Sequence, residues 1–175
     1  NTPPVVTLRD NNGKTLKTLV DNKELKEQLA TRTIGTKELF TFETSEGVEL
    51  NGWMVKPANF DATKRYPVIM YQYSGPGSQE VTDSWSIGFY RDGGLLESYW
   101  AGQGFITVCV DGRGTGGRGA AFEKCTYLNL GVKESKDQVE TAIYLGKLPY
   151  VDQANIGLWG WSYGGFNTLM SMSEG

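Results

Sequence analysis

An α/β fold, with a parallel sheet covered by helices on both faces and entered through an antiparallel hairpin, is what this sequence predicts. Three observations carry that reading. Strand-like and helix-like segments alternate from residue 67 onward, which is the order that builds a parallel sheet. Phe105-Ile106-Thr107-Val108-Cys109-Val110 is an almost unbroken apolar run, as expected of a strand buried on both sides. A glycine-framed serine, Gly160-Trp161-Ser162-Tyr163-Gly164, stands between a short apolar strand at 156–159 and a stretch from Phe166 that can open a helix.

The elements follow in order. Residues 5–20 read as two short strands around an Asn11-Asn12-Gly13 turn, a hairpin too small to be stable without a larger partner. Residues 21–30 carry Leu25 and Leu29 at i,i+4 spacing, with Asp21 or Asn22 as the cap of a short helix. Strands at 38–44 and 48–56 flank Ser45-Glu46-Gly47, with Phe40, Phe42, Leu50 and Trp53 as inward residues. Residues 67–73 form a more central strand that Ser74-Gly75-Pro76-Gly77-Ser78 cannot continue. Residues 84–91 read as irregular, and Leu95, Leu96, Tyr99 and Trp100 then recur at helical spacing. After the strand at 105–110, residues 111–119 form a glycine-rich loop. The helix at 134–147 is expected to bury Val139, Ala142 and Ile143, leaving Lys133, Glu134, Lys136, Asp137 and Glu140 wet.

Composition excludes several classes. At 175 residues the chain can bury a sizeable core, and no apolar run approaches the ~20 residues of a membrane-spanning helix. The net charge is -3 without a basic cluster, so nucleic acid is not an expected partner. Two cysteines, Cys109 in a strand and Cys125 in a loop, make neither a disulfide framework nor a metal cluster. No cofactor or metal is expected.

The bare G-x-S-x-G pattern should arise by chance roughly 0.17 times in a chain with 23 glycines. Its context gives it weight. A strand that turns at once into a helix needs flanking residues without a β-carbon, and it strains the serine at the apex. Ser162 would then stand at the carboxyl end of the sheet, beside the positive end of the helix dipole. A serine hydroxyl needs a base to take its proton, nearly always an imidazole. The chain contains no histidine. In hydrolases with this turn both the acid and the histidine follow the serine, so the chain reads as a truncated piece of a larger enzyme, inactive by itself.

A rival reading is a dinucleotide-binding domain, because Gly112-Arg113-Gly114-Thr115-Gly116-Gly117 fits G-x-G-x-x-G after a strand. Chance yields that pattern roughly 0.39 times here. Residues 119–125 open no convincing helix, and no strand ending in Asp or Glu follows at the right distance. A third reading is a hydrolase-like fragment without catalytic function. Asp111 and Arg113 are expected to shape their loop, and Asp137 and Glu140 to serve a solvated helix face or a helix-to-loop hydrogen bond.

Four segments coincide in order: Tyr73-Ser74-Gly75-Pro76-Gly77-Ser78-Gln79, Asp111-Gly112-Arg113-Gly114-Thr115-Gly116, Asp137-Gln138-Val139-Glu140 and Gly160-Trp161-Ser162-Tyr163-Gly164-Gly165. This order resembles prolyl-oligopeptidase-type serine peptidases, and the Trp-Ser-Tyr-Gly-Gly form most resembles their dipeptidyl-peptidase IV branch. The resemblance covers about residues 36–175, while residues 1–20 are similar to the last strands of the β-propeller that precedes the hydrolase domain in that family. It implies two units, a propeller-derived hairpin and linker at 1–35 and the N-terminal half of an α/β-hydrolase domain at 36–175. It further implies a peptide substrate, cleaved after a proline or alanine in second position to release an N-terminal dipeptide through an acyl-enzyme. Ser162 matches the nucleophile, and the Tyr73 hydroxyl and Tyr163 backbone N–H match the oxyanion hole, with the Tyr163 ring lining the substrate pocket and Trp161 packing. The resemblance places the catalytic Asp and His after Gly175 and the pair that grips the substrate's amino terminus before Asn1, in a periplasmic, secreted or membrane-anchored parent. Cut there, the strand at 156–159 would be an exposed edge through which the chain could form a homo-oligomer.

Overall fold

The computed structural model describes residues 2–85 and 94–174; most of the irregular stretch expected at 84–91 lies outside them. The hairpin forms as β1 (Val6–Arg9) and β2 (Thr15–Val20). Gly13 takes φ 82°, and Asp10 Oδ1 accepts the amides of Asn12 and Lys14 across the turn at 2.9 Å. Helix α1 (Lys23–Ala30) follows, entered through Asn22 in the left-handed region.

Five strands make the main sheet: β3 (Thr36–Glu43), β4 (Glu49–Lys56), β5 (Tyr66–Tyr71), β6 (Ile106–Asp111) and β7 (Val151–Trp159). Their spatial order is β3-β4-β6-β5-β7. The β3–β4 and β4–β6 pairs are antiparallel, and β5 runs parallel to both β6 and β7. β1 and β2 form a separate sheet. The central strand β6 is buried at every position, as its apolar run requires, and β7 lies at the sheet's edge.

The helices are α2 (Leu95–Gly102), the single turn α3 (Ala120–Glu123) running into a 3-10 turn (Lys124–Thr126), α4 (Val132–Gly146) and α5 (Tyr163–Glu174). On one face of the sheet Phe42, Leu50, Met54, Val68, Met70, Ile106, Val108 and Val110 pack with Leu145 of α4. On the other, Trp53, Val55, Tyr71 and Cys109 pack with Ala101 of α2. Trp53 is therefore inward as expected, but on the face opposite Phe42 and Leu50, because β4 is covered on both sides.

Two helices turn differently from their apolar pattern. In α4 the buried residues are Glu134, Ser135, Asp137, Gln138, Thr141 and Leu145, so Glu134 and Asp137 are not on the wet side. Their polar groups are satisfied across the interface: Asp137 accepts from the Arg113 backbone and guanidinium, and Gln138 Nε2 donates to the Val110 carbonyl at 3.1 Å. Ala142 packs against the core as expected, and with Val139 and Ile143 it lines a 690 Å³ cavity shared with Ile156 and Leu158 of β7 and Met172 of α5. In α2 Glu97, Ser98 and Ala101 are buried while Leu95 and Tyr99 are exposed. At Ala101 only a small residue fits, since a Cβ on Gly35 would already lie 3.1 Å from its methyl.

Candidate active site

Strand β5 lies between β6 and β7, and the chain leaves its carboxyl end for β6 on one side and returns through β7 on the other. Crevices for ligands in open α/β sheets form at such a reversal. The turn 160–162 and the segment 72–75 both lie there. Their levels match, because Tyr71 pairs with Trp159 and the Gln72 amide donates to the Trp159 carbonyl at 3.1 Å.

The turn between β7 and α5 has the geometry that its glycines predict. Ser162 sits at φ 57°, in the left-handed region, and is exposed. A Cβ on Gly160 would lie 2.5 Å from the Gln72 carbonyl oxygen, and one on Gly164 would lie 2.3 Å from the same oxygen. Strand end and helix start therefore touch backbone to backbone. The close approach leaves Tyr163 as the first residue of α5, where backbone amides have no partner inside the helix and the dipole is positive.

Tyr73 and Tyr163 are brought together. Their ring centroids are 6.4 Å apart at 44°, and a Cβ on Gly75 would lie 2.6 Å from the Tyr73 ring and 3.6 Å from that of Tyr163. Phe166 meets Tyr163 edge-on, with centroids 5.5 Å apart. The Tyr163 hydroxyl donates to Glu134 Oε1 at 2.9 Å. Burial, followed by this bond to a carboxylate, pushes the Tyr163 phenol well above the usual tyrosine range. Trp161, expected to pack, is 61% exposed, since the residue before the apex projects past the end of the sheet.

Behind the turn stands a buried amide network that pattern reading missed. Gln72 is fully buried; its Nε2 donates to the Gly164 carbonyl and to Thr168 Oγ1, and its Oε1 accepts from Asn167 Nδ2 at 3.1 Å. The next residue but one, Ser74, is buried at φ 59° and accepts from Gln138 Nε2 at 3.3 Å. Tyr73 thus lies between two residues anchored to α5 and α4. A glutamine ending an otherwise apolar strand was the available signal. For Glu134 it was the spacing: a Glu three residues after a glycine at the helix N-cap is half of a capping box, and its Oε2 accepts the Gly131 amide at 3.0 Å.

Asp111 and Arg113 shape loops, as expected. Asp111 accepts the amides of Glu80 and Val81, and Arg113 bridges Asp137 and Glu46. The glycine-rich loop is committed to the protein itself. The amides of Arg113, Gly114, Thr115 and Gly116 donate to Asp137, Phe122, Gly112 and Ser78. None of these four is turned toward a pyrophosphate, and α3 is too short to serve as the phosphate-binding helix.

Comparison with known proteins agrees with this geometry. A profile described as "Prolyl oligopeptidase family" matches residues 95–175. A probable dipeptidyl-aminopeptidase B from Chaetomium globosum is 39% identical over 171 residues, covering 97% of this chain and 18% of the relative. Another from Arthroderma benhamiae is 45% identical over 130 residues, covering 74% and 14% respectively. The chain thus spans less than a fifth of the length of these curated relatives. Among solved structures, Porphyromonas gingivalis dipeptidyl peptidase 4 superposes with a TM-score of 0.88 at 51% identity, over 97% of this chain and 23% of that one. A putative dipeptidyl aminopeptidase IV from Bacteroides ovatus gives 0.83 at 38%, over 96% and 23%. Pyrococcus horikoshii acylaminoacyl peptidase, at 24% identity and a TM-score of 0.71, shares the fold. On its fold, its ordered motifs and these matches, the chain belongs to the prolyl oligopeptidase family and includes part of an α/β-hydrolase fold.

Proposed function

We propose that these residues supply the nucleophile and the oxyanion hole of a serine peptidase that releases N-terminal dipeptides, with proline or alanine in second position. Ser162 Oγ attacks the scissile carbonyl. The Tyr73 hydroxyl and the Tyr163 backbone N–H donate to the oxygen as it takes up negative charge, and the acyl-enzyme on Ser162 is then hydrolysed. Donors fixed at a strand end and a helix start need no reorganisation when that charge develops. The Tyr163 ring walls the site for the second residue, where a flat aromatic face suits a proline ring. Residues 1–35 are assigned to the end of a preceding propeller, in keeping with their separate two-stranded sheet. Release of dipeptides accords with the names of the relatives, and the preference for proline or alanine rests on the family resemblance.

The observation that carries the reading is an exposed serine at φ 57° between glycines whose β-carbons would strike the strand that leads into Tyr73. With no histidine among the 175 residues, the proton acceptor belongs to sequence outside them. In the full-length protein, Ser162→Ala is expected to lower kcat on a Gly-Pro chromogenic substrate by on the order of 10⁶, as loss of the nucleophile does in a serine protease. The 175-residue chain by itself should show negligible turnover. Equal turnover by wild type and Ser162→Ala would refute the assignment.

A further inference from the structure

The feature left unexplained by the reaction is Glu134. It is fully buried, and carboxylates are almost never so unless paired. One oxygen takes the Gly131 amide at the start of α4, where the helix dipole favours an anion. The other takes the Tyr163 hydroxyl at 2.9 Å. Glu134 and Tyr163 are 29 residues apart, and their bond joins α4 to the first residue of α5.

The rest of the Tyr163 surroundings are mainly aromatic. Tyr73 and Phe166 meet it at tilted and edge-on angles, and Gly75 packs without a side chain against the Tyr73 and Tyr163 rings. These are apolar contacts of little directionality. A hydrogen bond to a buried carboxylate is directional and strong, and it fixes where the hydroxyl end of the ring sits. Gly131 supports the same arrangement from below: it takes φ 86°, and a Cβ there would lie 2.9 Å from the Phe166 ring.

We propose that Glu134 is a positioning residue for the Tyr163 ring, and that through this ring it sets which second residue the peptidase accepts. This rests on the peptidase reading above. A carboxylate in α4, remote from the reacting atoms, then decides how closely the aromatic wall approaches a proline ring compared with the small alanine methyl.

The test uses the full-length protein, with active sites counted by fluorophosphonate labelling, and the ratio of kcat/KM on Gly-Pro against Gly-Ala substrates. Glu134→Gln keeps the size and an acceptor for the Gly131 amide but weakens the bond to the phenol. Tyr163→Phe removes the hydroxyl and is nearly isosteric. Each is expected to change the proline-to-alanine ratio by about 3- to 10-fold, as loss of one good hydrogen bond allows, mainly through KM. The double variant should change it no further than Tyr163→Phe does, because both act through one bond. A purely structural role would lower the count of active sites and leave the ratio alone. Single variants within twofold of the wild-type ratio, or a double variant showing the product of the single effects, would overturn the proposal while leaving the peptidase reading intact. Absence of Ser162-dependent turnover in the wild type would remove the reading itself, and this inference with it.

Discussion

Two glycine-rich turns leave parallel strands at the same end of the sheet, 160–165 after β7 and 112–119 after β6, and they use glycine differently. In the loop, Gly114, Gly117 and Gly119 take φ values of 96°, 82° and 86°, so glycine supplies a conformation that side chains resist. At the elbow the left-handed residue is Ser162, at 57°, while Gly160 and Gly164 have ordinary φ and supply only the absence of a β-carbon. Strain of about 1–2 kcal/mol is thus borne by the residue that has a side chain to present. The difference teaches that a glycine motif is read by what a β-carbon would strike. The loop's glycines combine left-handed backbone with close packing against Asp137, Thr126 and the Gly77 backbone, and the elbow's glycines press a serine against a neighbouring strand.

The sharpest way to break this comparison is Gly164→Ala. Its methyl would lie 2.3 Å from the Gln72 carbonyl oxygen and 3.0 Å from the Tyr73 Cα. Both obstacles are backbone and cannot rotate away. The expected cost is about 3 kcal/mol or more, and relief requires α5 to move off β5, carrying Ser162 with it. Fluorophosphonate labelling of Ser162 in the full-length protein should fall to background. Labelling at the wild-type rate would show that the elbow tolerates a β-carbon and that its glycines mean no more than those of the loop.

A smaller effect is expected from Gln72→Met, which keeps the volume and removes the amide. Gln72 is fully buried and bonded to Gly164, Thr168 and Asn167, so the variant strands the Asn167 Nδ2 donor inside the protein. Leaving one buried group unpaired costs about 1–3 kcal/mol. Hydrogen exchange of the α5 amides near residues 167–171 measures it locally. Faster exchange there, with the 112–119 loop unchanged, would separate the two turns energetically; no change would mean that glycine contact alone holds the elbow.

The elbow and the central strand were legible because their causes are local. The glycine spacing around Ser162 follows from a steric demand within five residues, and the apolar run into β6 follows from its place between two layers. The helix faces were not legible. Glu134 and Asp137 looked wet because nothing near them in sequence answers a buried charge, although the helix-to-loop hydrogen bond expected as the alternative for Asp137 is the one that forms. Their partners, Tyr163 and Arg113, arrive from 29 and 24 residues away. Gln72 was missed for the same reason, since its partners lie in a helix more than 90 residues on. Residues 1–20 show the converse: their hairpin pattern was plain, yet Leu8, Leu16 and Leu19 are exposed at 50%, 60% and 54%, because a strand pattern does not say what it packs against.

The finest discrimination comes from a substitution in the loop that should do little. Gly119 stands at φ 86° with no atom within 4 Å of where a Cβ would go, so only the backbone preference opposes an alanine. That preference costs about 1 kcal/mol, partly offset because alanine also restricts the unfolded chain. The Glu123 amide donates to the Gly119 carbonyl at 3.1 Å, so its exchange rate in Gly119→Ala reports the cost directly and should rise by less than about tenfold. Peptidase turnover should remain at the wild-type level, since the loop amides that answer Asp137, Phe122 and Ser78 are untouched. A loss as deep as that of Gly164→Ala would mean that the loop is coupled to the elbow through Gly77 and Ser78, whose backbone bonds to Gly114 and Gly116 give a route by which so mild a change could reach Tyr73 along the segment 73–78.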